Sequence, residues 1–154
     1  MRRLFAALAA VCLLLTACTA STKGMKTCTL SISCAALCGV GNELDAEKGD
    51  LVPADGWMLA PTEVAYTDGE SVFDVLLRVC RERQIHLEFS QTGGYADAYV
   101  EGIGNLYEFD AGSRSGWTYS VNGTFPKVGC SAYLLQNSDE ICWHYTCDLG
   151  ADLK

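Results

Sequence analysis

The stretch Trp117-Thr118-Tyr119-Ser120-Val121-Asn122-Gly123 predicts a strand that ends in a tight turn. Large apolar residues alternate with small polar ones, which is typical of a strand with one buried face. Asn-Gly suits a two-residue hairpin turn, because both residues tolerate a positive φ. This part of the chain is therefore predicted to belong to an antiparallel sheet.

The same alternation recurs on both sides of this stretch. Thr27–Ser33 and Ile141–Thr146 each alternate without error, and shorter segments follow the pattern at 85–89, 99–103 and 106–109. Gly104-Asn105 predicts a turn between the last two segments. Around Pro61, residues 57–60 and 63–66 are predicted as two separate extended segments, since proline interrupts a strand ladder.

One helix is predicted over Ser71–Arg83. Its apolar residues recur at helical spacing on one face, and Ser71 with Asp74 forms a capping-box pattern. Residues 34–53 are predicted to be a loop with a helical turn. No internal repeat is present in the sequence. The predicted fold is therefore α+β: a small β-rich domain of about seven short strands, with one main helix packed across them.

The N-terminus has the features of an export signal. Arg2 and Arg3 precede an apolar run, Leu4–Leu15, which is shorter than the roughly 20 residues of a membrane-spanning helix. Leu15-Thr16-Ala17-Cys18 then matches a lipobox, which predicts lipidation of Cys18. The alternative is an ordinary signal peptide followed by a chance cysteine.

These features divide the chain into four parts. Residues 1–17 are predicted to be a lipoprotein signal peptide, 18–26 a lipid-anchored tether, 27–150 the domain and 151–154 a tail. The expected location is extracytoplasmic, with the lipid anchored in a bacterial cell membrane. A net charge of −8 argues against nucleic-acid binding and against electrostatic attachment to an anionic membrane.

Nine cysteines are many for 154 residues and favour an oxidising compartment. Structural disulfides are the preferred interpretation, and Cys130–Cys147 is the first candidate pair, since the two flank the C-terminal strands. Seven cysteines remain after Cys12 and Cys18 are set aside, so one of them stays unpaired. Cys34 and Cys38 could form half of a metal site, but no Cys-x-x-Cys pair exists and no metal site is predicted.

No hydrolase, phosphate-binding or zinc-protease motif is present in the sequence. His86 and His144 are each predicted to lie on the solvent side of a strand. The chain is therefore predicted not to be an enzyme.

Five stretches resemble one known family: Ser71–Leu76, Tyr99–Ile103, Leu106–Asp110, Ser115–Gly123 and Tyr145–Gly150. Of these, Ser115–Gly123 is the most specific. The family is DUF4430, the transcobalamin-like C-terminal domain, which is found in bacterial surface proteins. The resemblance implies a β-rich domain with one helix. It also implies cobalamin as a ligand, held between this domain and a larger helical-barrel domain that this chain lacks. At positions 137–140 the family's Asp-Gly-Asp turn is replaced by Asn-Ser-Asp-Glu.

By this resemblance, Trp117 corresponds to the tryptophan that opens the family's hairpin strand, and Thr118 stands where a polar contact is made. Aromatic residues cluster in this region, and such side chains offer a large contact area. The first hypothesis is a non-enzymatic module that binds a corrinoid or another small molecule, together with a helical-barrel partner protein. Its predicted contacts are Trp117, Thr118, Tyr119, Asn122 and Phe125. The alternative is an envelope protein–protein interaction or adhesion module that uses the same aromatic hairpin.

Overall fold

The computed structural model describes residues 25–39, 43–91 and 97–153. In chain order these residues form β1 (Lys26–Ser33), β2 (Trp57–Tyr66), α1 (Val72–Arg83), β3 (Leu87–Gln91), β4 (Ala98–Ile103), β5 (Leu106–Tyr107), β6 (Gly116–Val121) and β7 (Glu140–Thr146). Two short 3-10 helices lie at Ala35–Leu37 and Ala46–Leu51. The predicted α+β class, with seven strands and one main helix, is confirmed. Cys18 and the signal peptide lie outside the described residues.

The strands form two sheets. One has the order β2-β1-β7-β6 and the other has the order β3-β4-β5. Neighbouring strands are antiparallel except β1 and β7, which run parallel. The first and last strands of the domain therefore lie side by side at the centre of the larger sheet.

The main core lies between the larger sheet and α1. Leu30 and Ile32 of β1 are fully buried, as are Val72 and Leu76 of α1. Complete burial of an aliphatic side chain of this size contributes about 1.5–3 kcal/mol. Alternation along β1 and helical spacing along α1 thus place both apolar faces in one cluster, as predicted.

The predicted capping box begins α1. Ser71 Oγ accepts a hydrogen bond from the Asp74 backbone N–H at 3.2 Å, and the Asp74 carboxylate accepts one from the Ser71 N–H at 2.8 Å. Two backbone donors that would otherwise lack partners at the helix start are satisfied in this way.

Most strands begin or end within one residue of prediction, but three differ more. Strand β3 runs over Leu87–Gln91 rather than over 85–89. Residues 57–66 form one continuous strand that includes Pro61, because β2 lies at the sheet edge and pairs with β1 alone. Strand β5 ends at Tyr107 rather than at residue 109, because Phe109 has a φ of 68° and leaves the extended conformation. No described helix is long and apolar enough to cross a membrane.

Candidate functional site

Polar side chains from three strands meet on the face of the larger sheet that is turned away from α1. In β7, Ile141, Trp143 and Tyr145 are buried, so Cys142 and His144 point to the opposite face. Cys142 is paired with Ser31 of β1 and Ser120 of β6, whereas His144 is paired with Ser33 and Thr118. We call this set of six residues the outer-face site: Ser31, Ser33, Thr118, Ser120, Cys142 and His144.

The imidazole of His144 is fixed by contacts on several sides. Its Nε2 lies 2.9 Å from Ser120 Oγ, and its Nδ1 lies 3.6 Å from Cys142 Sγ. The ring of Phe125 lies against it, with the ring centres 5.5 Å apart. The histidine is therefore held in one orientation by two polar neighbours and one aromatic neighbour.

Burial keeps the outer-face site uncharged near neutral pH. Removal from water lowers the pKa of His144 below its ordinary value, which favours the neutral imidazole. Burial also raises the pKa of the Cys142 thiol, and a hydrogen bond from Ser31 partly offsets that effect. A half-buried site with neutral hydrogen-bonding groups suits an uncharged ligand better than a charged one, because a buried charge without a charged partner is costly.

A cavity of about 400 Å³ opens over this site. Its floor includes Ser33, Ser120 and His144. Such a volume is in the range of small-molecule pockets in proteins.

The walls of the cavity come from three separate segments. Ala36 stands in the 3-10 helix after β1, Phe125 follows the turn after β6, and Leu153 belongs to the C-terminal segment. The carboxylate of Asp152, beside Leu153, accepts hydrogen bonds from the Thr146 hydroxyl and, at 2.8 Å, from the Cys147 N–H. These bonds hold the C-terminal wall against the end of β7.

Four of the five predicted ligand contacts are divided between the two sides of the sheet. Thr118 and Phe125 lie on the side of the outer-face site. Trp117 and Tyr119 point to the opposite side, where Trp117 Nε1 donates to the Leu106 carbonyl at 2.8 Å and Tyr119 Oη donates to the Val128 carbonyl at 2.8 Å. The alternation that identified the strand is the reason for the division, since consecutive side chains leave a strand on opposite faces.

Asn122 lies in the turn after β6, with a φ of 52°. Its Nδ2 donates to Asp139 Oδ1 at 2.9 Å, and its Oδ1 accepts from the Glu140 N–H at 2.9 Å. The side chain therefore links the turn to the start of β7.

The structure has the seven cysteines of the described residues as free thiols, and the predicted Cys130–Cys147 pairing stays a prediction. Cys130 lies in the main core, and its thiol donates to the Ala98 carbonyl. Cys147 packs against a second cluster that contains Cys34, Leu37 and Tyr145. The two thiols therefore belong to different clusters.

Sequence reasoning missed the outer-face residues of β1 and β7, although it identified the alternation of all three strands. His144 was predicted to lie on the solvent side of its strand. In the structure it lies on that side but is half-buried beneath Phe125. The sequence signal that could have identified them was the set of polar residues that alternate with apolar ones along each of the three strands. The neighbour order β1-β7-β6, which brings the three sets together, was not readable from local sequence.

The described residues contain no group of three or more His, Cys, Asp and Glu side chains placed to hold a metal ion. The arrangement offers hydroxyl, thiol and imidazole groups beneath an apolar wall, which can bind a small ligand by burial and a few hydrogen bonds.

Among solved structures, the chain is similar to haptocorrin in its complex with Cbi, with 13% identity and a TM-score of 0.53. That match covers 79% of this chain but only 25% of the haptocorrin chain, so the likeness is one of fold over a quarter of that protein. A putative metal binding protein from Ruminococcus gnavus ATCC 29149 matches with 12% identity and a TM-score of 0.46, over 79% of this chain and 96% of the other. A search of curated proteins finds no match.

The model of one protein family, described as a domain of unknown function (DUF4430), matches residues 69–147. This range contains α1 and strands β3 to β7 and covers about half of the chain. Fold and sequence agree, and the chain belongs to the DUF4430 family.

Proposed function

We propose that this protein is a non-enzymatic binding module for a small molecule, held at the bacterial cell surface by lipid on Cys18. The cavity over the outer-face site is the observation that carries the proposal. It combines an aromatic wall, Phe125, with neutral hydrogen-bonding groups on Ser120 and His144. This combination is typical of sites that recognise a largely apolar ligand with a few polar substituents.

A corrinoid is the first candidate ligand. The proposal is supported by the resemblance of the sequence to transcobalamin-like domains and by the similarity of fold to haptocorrin, whose structure contains Cbi. A cavity of about 400 Å³ accommodates one edge of so large a ligand. By the family resemblance, the remainder would be covered by a helical-barrel partner protein.

Titration of residues 19–154 with cyanocobalamin tests this proposal. Calorimetry and tryptophan fluorescence should show saturable binding. The Phe125→Ala variant should bind at least tenfold more weakly, because it removes the aromatic wall. Phe109→Ala is the matched control, since Phe109 is also an exposed phenylalanine but does not line the cavity.

Three outcomes are informative. Weaker binding by the Phe125 variant alone supports the cavity as the site. Equal binding by both variants places the ligand elsewhere on the domain. An absence of binding by the folded domain rejects the corrinoid for the isolated chain.

Exposed apolar side chains favour a second candidate function, an envelope protein–protein interaction module. Phe125 and Val128 are 42% and 50% exposed in the segment that follows β6. Aromatic residues of this kind often anchor protein interfaces. A specific protein partner that is lost on Phe125→Ala, together with no binding of cyanocobalamin, would favour this function over the first.

A further inference from the structure

We propose that Cys142 and His144 form a two-point chelate for a soft monovalent metal ion, Cu(I) foremost, on the outer face of the larger sheet. This site goes beyond the small-molecule function and does not rest on it. No metal-binding motif marks it in the sequence, because a Cys-x-His pair becomes a chelate only where a strand places both side chains on the same accessible face.

The separation of the two donor atoms matches that of ligands on one metal. Cys142 Sγ and His144 Nδ1 are 3.6 Å apart. Metal–sulfur and metal–nitrogen bonds of about 2.3 Å and about 2.0 Å, at the angle of about 120° found around a three-coordinate ion, place their donor atoms about 3.7 Å apart. A metal can therefore take the place of the thiol proton with little movement of either side chain.

A third residue orients the imidazole for this role. Ser120 Oγ lies 2.9 Å from Nε2. In the tautomer that carries its proton on Nε2, the N–H donates to this hydroxyl and the lone pair of Nδ1 faces Cys142. Metal-binding histidines are usually held in this way by a partner on the second nitrogen.

The donor set and its surroundings favour Cu(I). Thiolate and imidazole are soft or borderline ligands, whereas Ca²⁺ and Mg²⁺ require oxygen. The binding step is Cys142–SH plus Cu(I) giving Cys142–S–Cu(I) plus a proton, and the metal keeps its oxidation state. One thiolate balances one monovalent ion, so the half-buried complex has no net charge. A divalent ion would leave an uncompensated positive charge there, which is costly away from water.

Coordination number points to the same ion. Among the described residues no cluster supplies a third His, Cys, Asp or Glu. Structural zinc normally takes four protein ligands, so two are too few for it. Cu(I) accepts two or three ligands, and His144 borders the cavity through which a third, exogenous ligand can reach the metal.

Cys142 differs from the other cysteines in the described parts of the chain in its contact with a histidine. It is the one whose thiol contacts an imidazole. The exposed Cys38 instead lies near the Pro53 carbonyl, and the buried Cys34 near the Gly56 carbonyl. Cys38 and His86 are therefore matched controls: the same residue types, outside the proposed chelate.

The test is an anaerobic titration of reduced residues 19–154 with Cu(I), in competition with the colorimetric chelator bicinchoninate. One equivalent should bind with an affinity that falls at least tenfold in Cys142→Ser and in His144→Gln. Cys38→Ser and His86→Gln should bind as the parent does. Ser120→Ala keeps both donor atoms and should show a smaller loss than either chelate variant.

A spectroscopic measurement makes the result independent of affinity. On addition of Cu(I), the ¹⁵N resonance of His144 Nδ1 should shift. The Nε2 resonance should keep the chemical shift of a protonated nitrogen. Circular dichroism and a thermal melt establish that each variant is folded. The proposal is overturned if folded Cys142→Ser and His144→Gln bind Cu(I) as tightly as the parent, or if the copper is lost on Cys38→Ser instead.

Discussion

Ser120 and His144 contact each other across two strands, with Oγ 2.9 Å from Nε2, although 24 residues separate them in the chain. The antiparallel register pairs Ser120 with Cys142, so His144 is its diagonal neighbour on the same face. Diagonal neighbours are within reach of long side chains. This contact ties the cavity floor together and underlies both the proposed binding function and the proposed chelate.

The first prediction concerns stability against pH. Burial lowers the pKa of His144 below its ordinary value of 6.5. As the pH falls through that value, the unfolded chain takes up this proton before the folded chain does, so the free energy of unfolding decreases. We expect His144→Gln to lose less stability than the parent between pH 7 and pH 5, as measured by urea unfolding at each pH.

His86→Gln is the control for that comparison, because His86 is exposed and contacts Tyr107 and Glu88 at the surface. It removes one histidine and leaves the contacts of His144 intact, so the flatter profile should be specific to His144→Gln. A profile of His144→Gln that runs parallel to the parent's would contradict the assignment of a buried neutral imidazole.

The second prediction separates the two faces of β6. Trp117 packs edge-to-face on Tyr145 at 5.2 Å and donates to the Leu106 carbonyl, so it supports the fold. Trp117→Ala should destabilise the domain by about 2–4 kcal/mol. Phe125→Ala, on the exposed side, should cost less than about 1 kcal/mol. Chemical denaturation of both variants measures the difference, and a stable Trp117→Ala variant that fails to bind ligand would instead make Trp117 a contact residue.

The third prediction concerns the turn after β6. Asn122→Ala removes two hydrogen bonds and places alanine at a φ of 52°, which disfavours it. The expected loss is about 2–3 kcal/mol. Asn122→Gly removes the same hydrogen bonds but tolerates that φ, so its loss should be about 1 kcal/mol. Equal losses in thermal melts of the two variants would show that the backbone conformation contributes nothing.

The fourth prediction concerns the thiols. Burial raises the pKa of Cys80 to about 12 and the pKa of Cys28, Cys34 and Cys130 to about 11. Cys38 is exposed, whereas these four thiols are buried, so alkylation of the native protein at pH 8 should modify Cys38 first and these four last. Mass spectrometry of timed samples gives the order, and denaturation should expose all seven thiols of the described residues. A Cys130–Cys147 disulfide would appear in the denatured protein as two cysteines that are not alkylated until a reductant is added.

Much of the fold was predictable from local sequence. The alternation of β1, β6 and β7, the capping box of Ser71 and the Gly104-Asn105 turn each depend on residues close together in the chain. Pro61 shows the limit of this reasoning. A proline excludes a central strand but is tolerated at an edge, and which strand lies at the edge depends on the whole sheet.

The candidate site was predictable only in part. Phe125 and Thr118 were identified and lie on the outer side, whereas Ser31, Ser33 and Cys142 were not identified as site residues. The sequence by itself determined which residues share a face of each strand, because side chains alternate with a fixed period of two. Only the tertiary structure decided that β1 pairs with β7. There the Ser31 hydroxyl donates a hydrogen bond to the carbonyl of Ile141, which lies 110 residues further along the chain. That pairing depends on how the buried faces of distant segments pack against α1, and no local pattern encodes it.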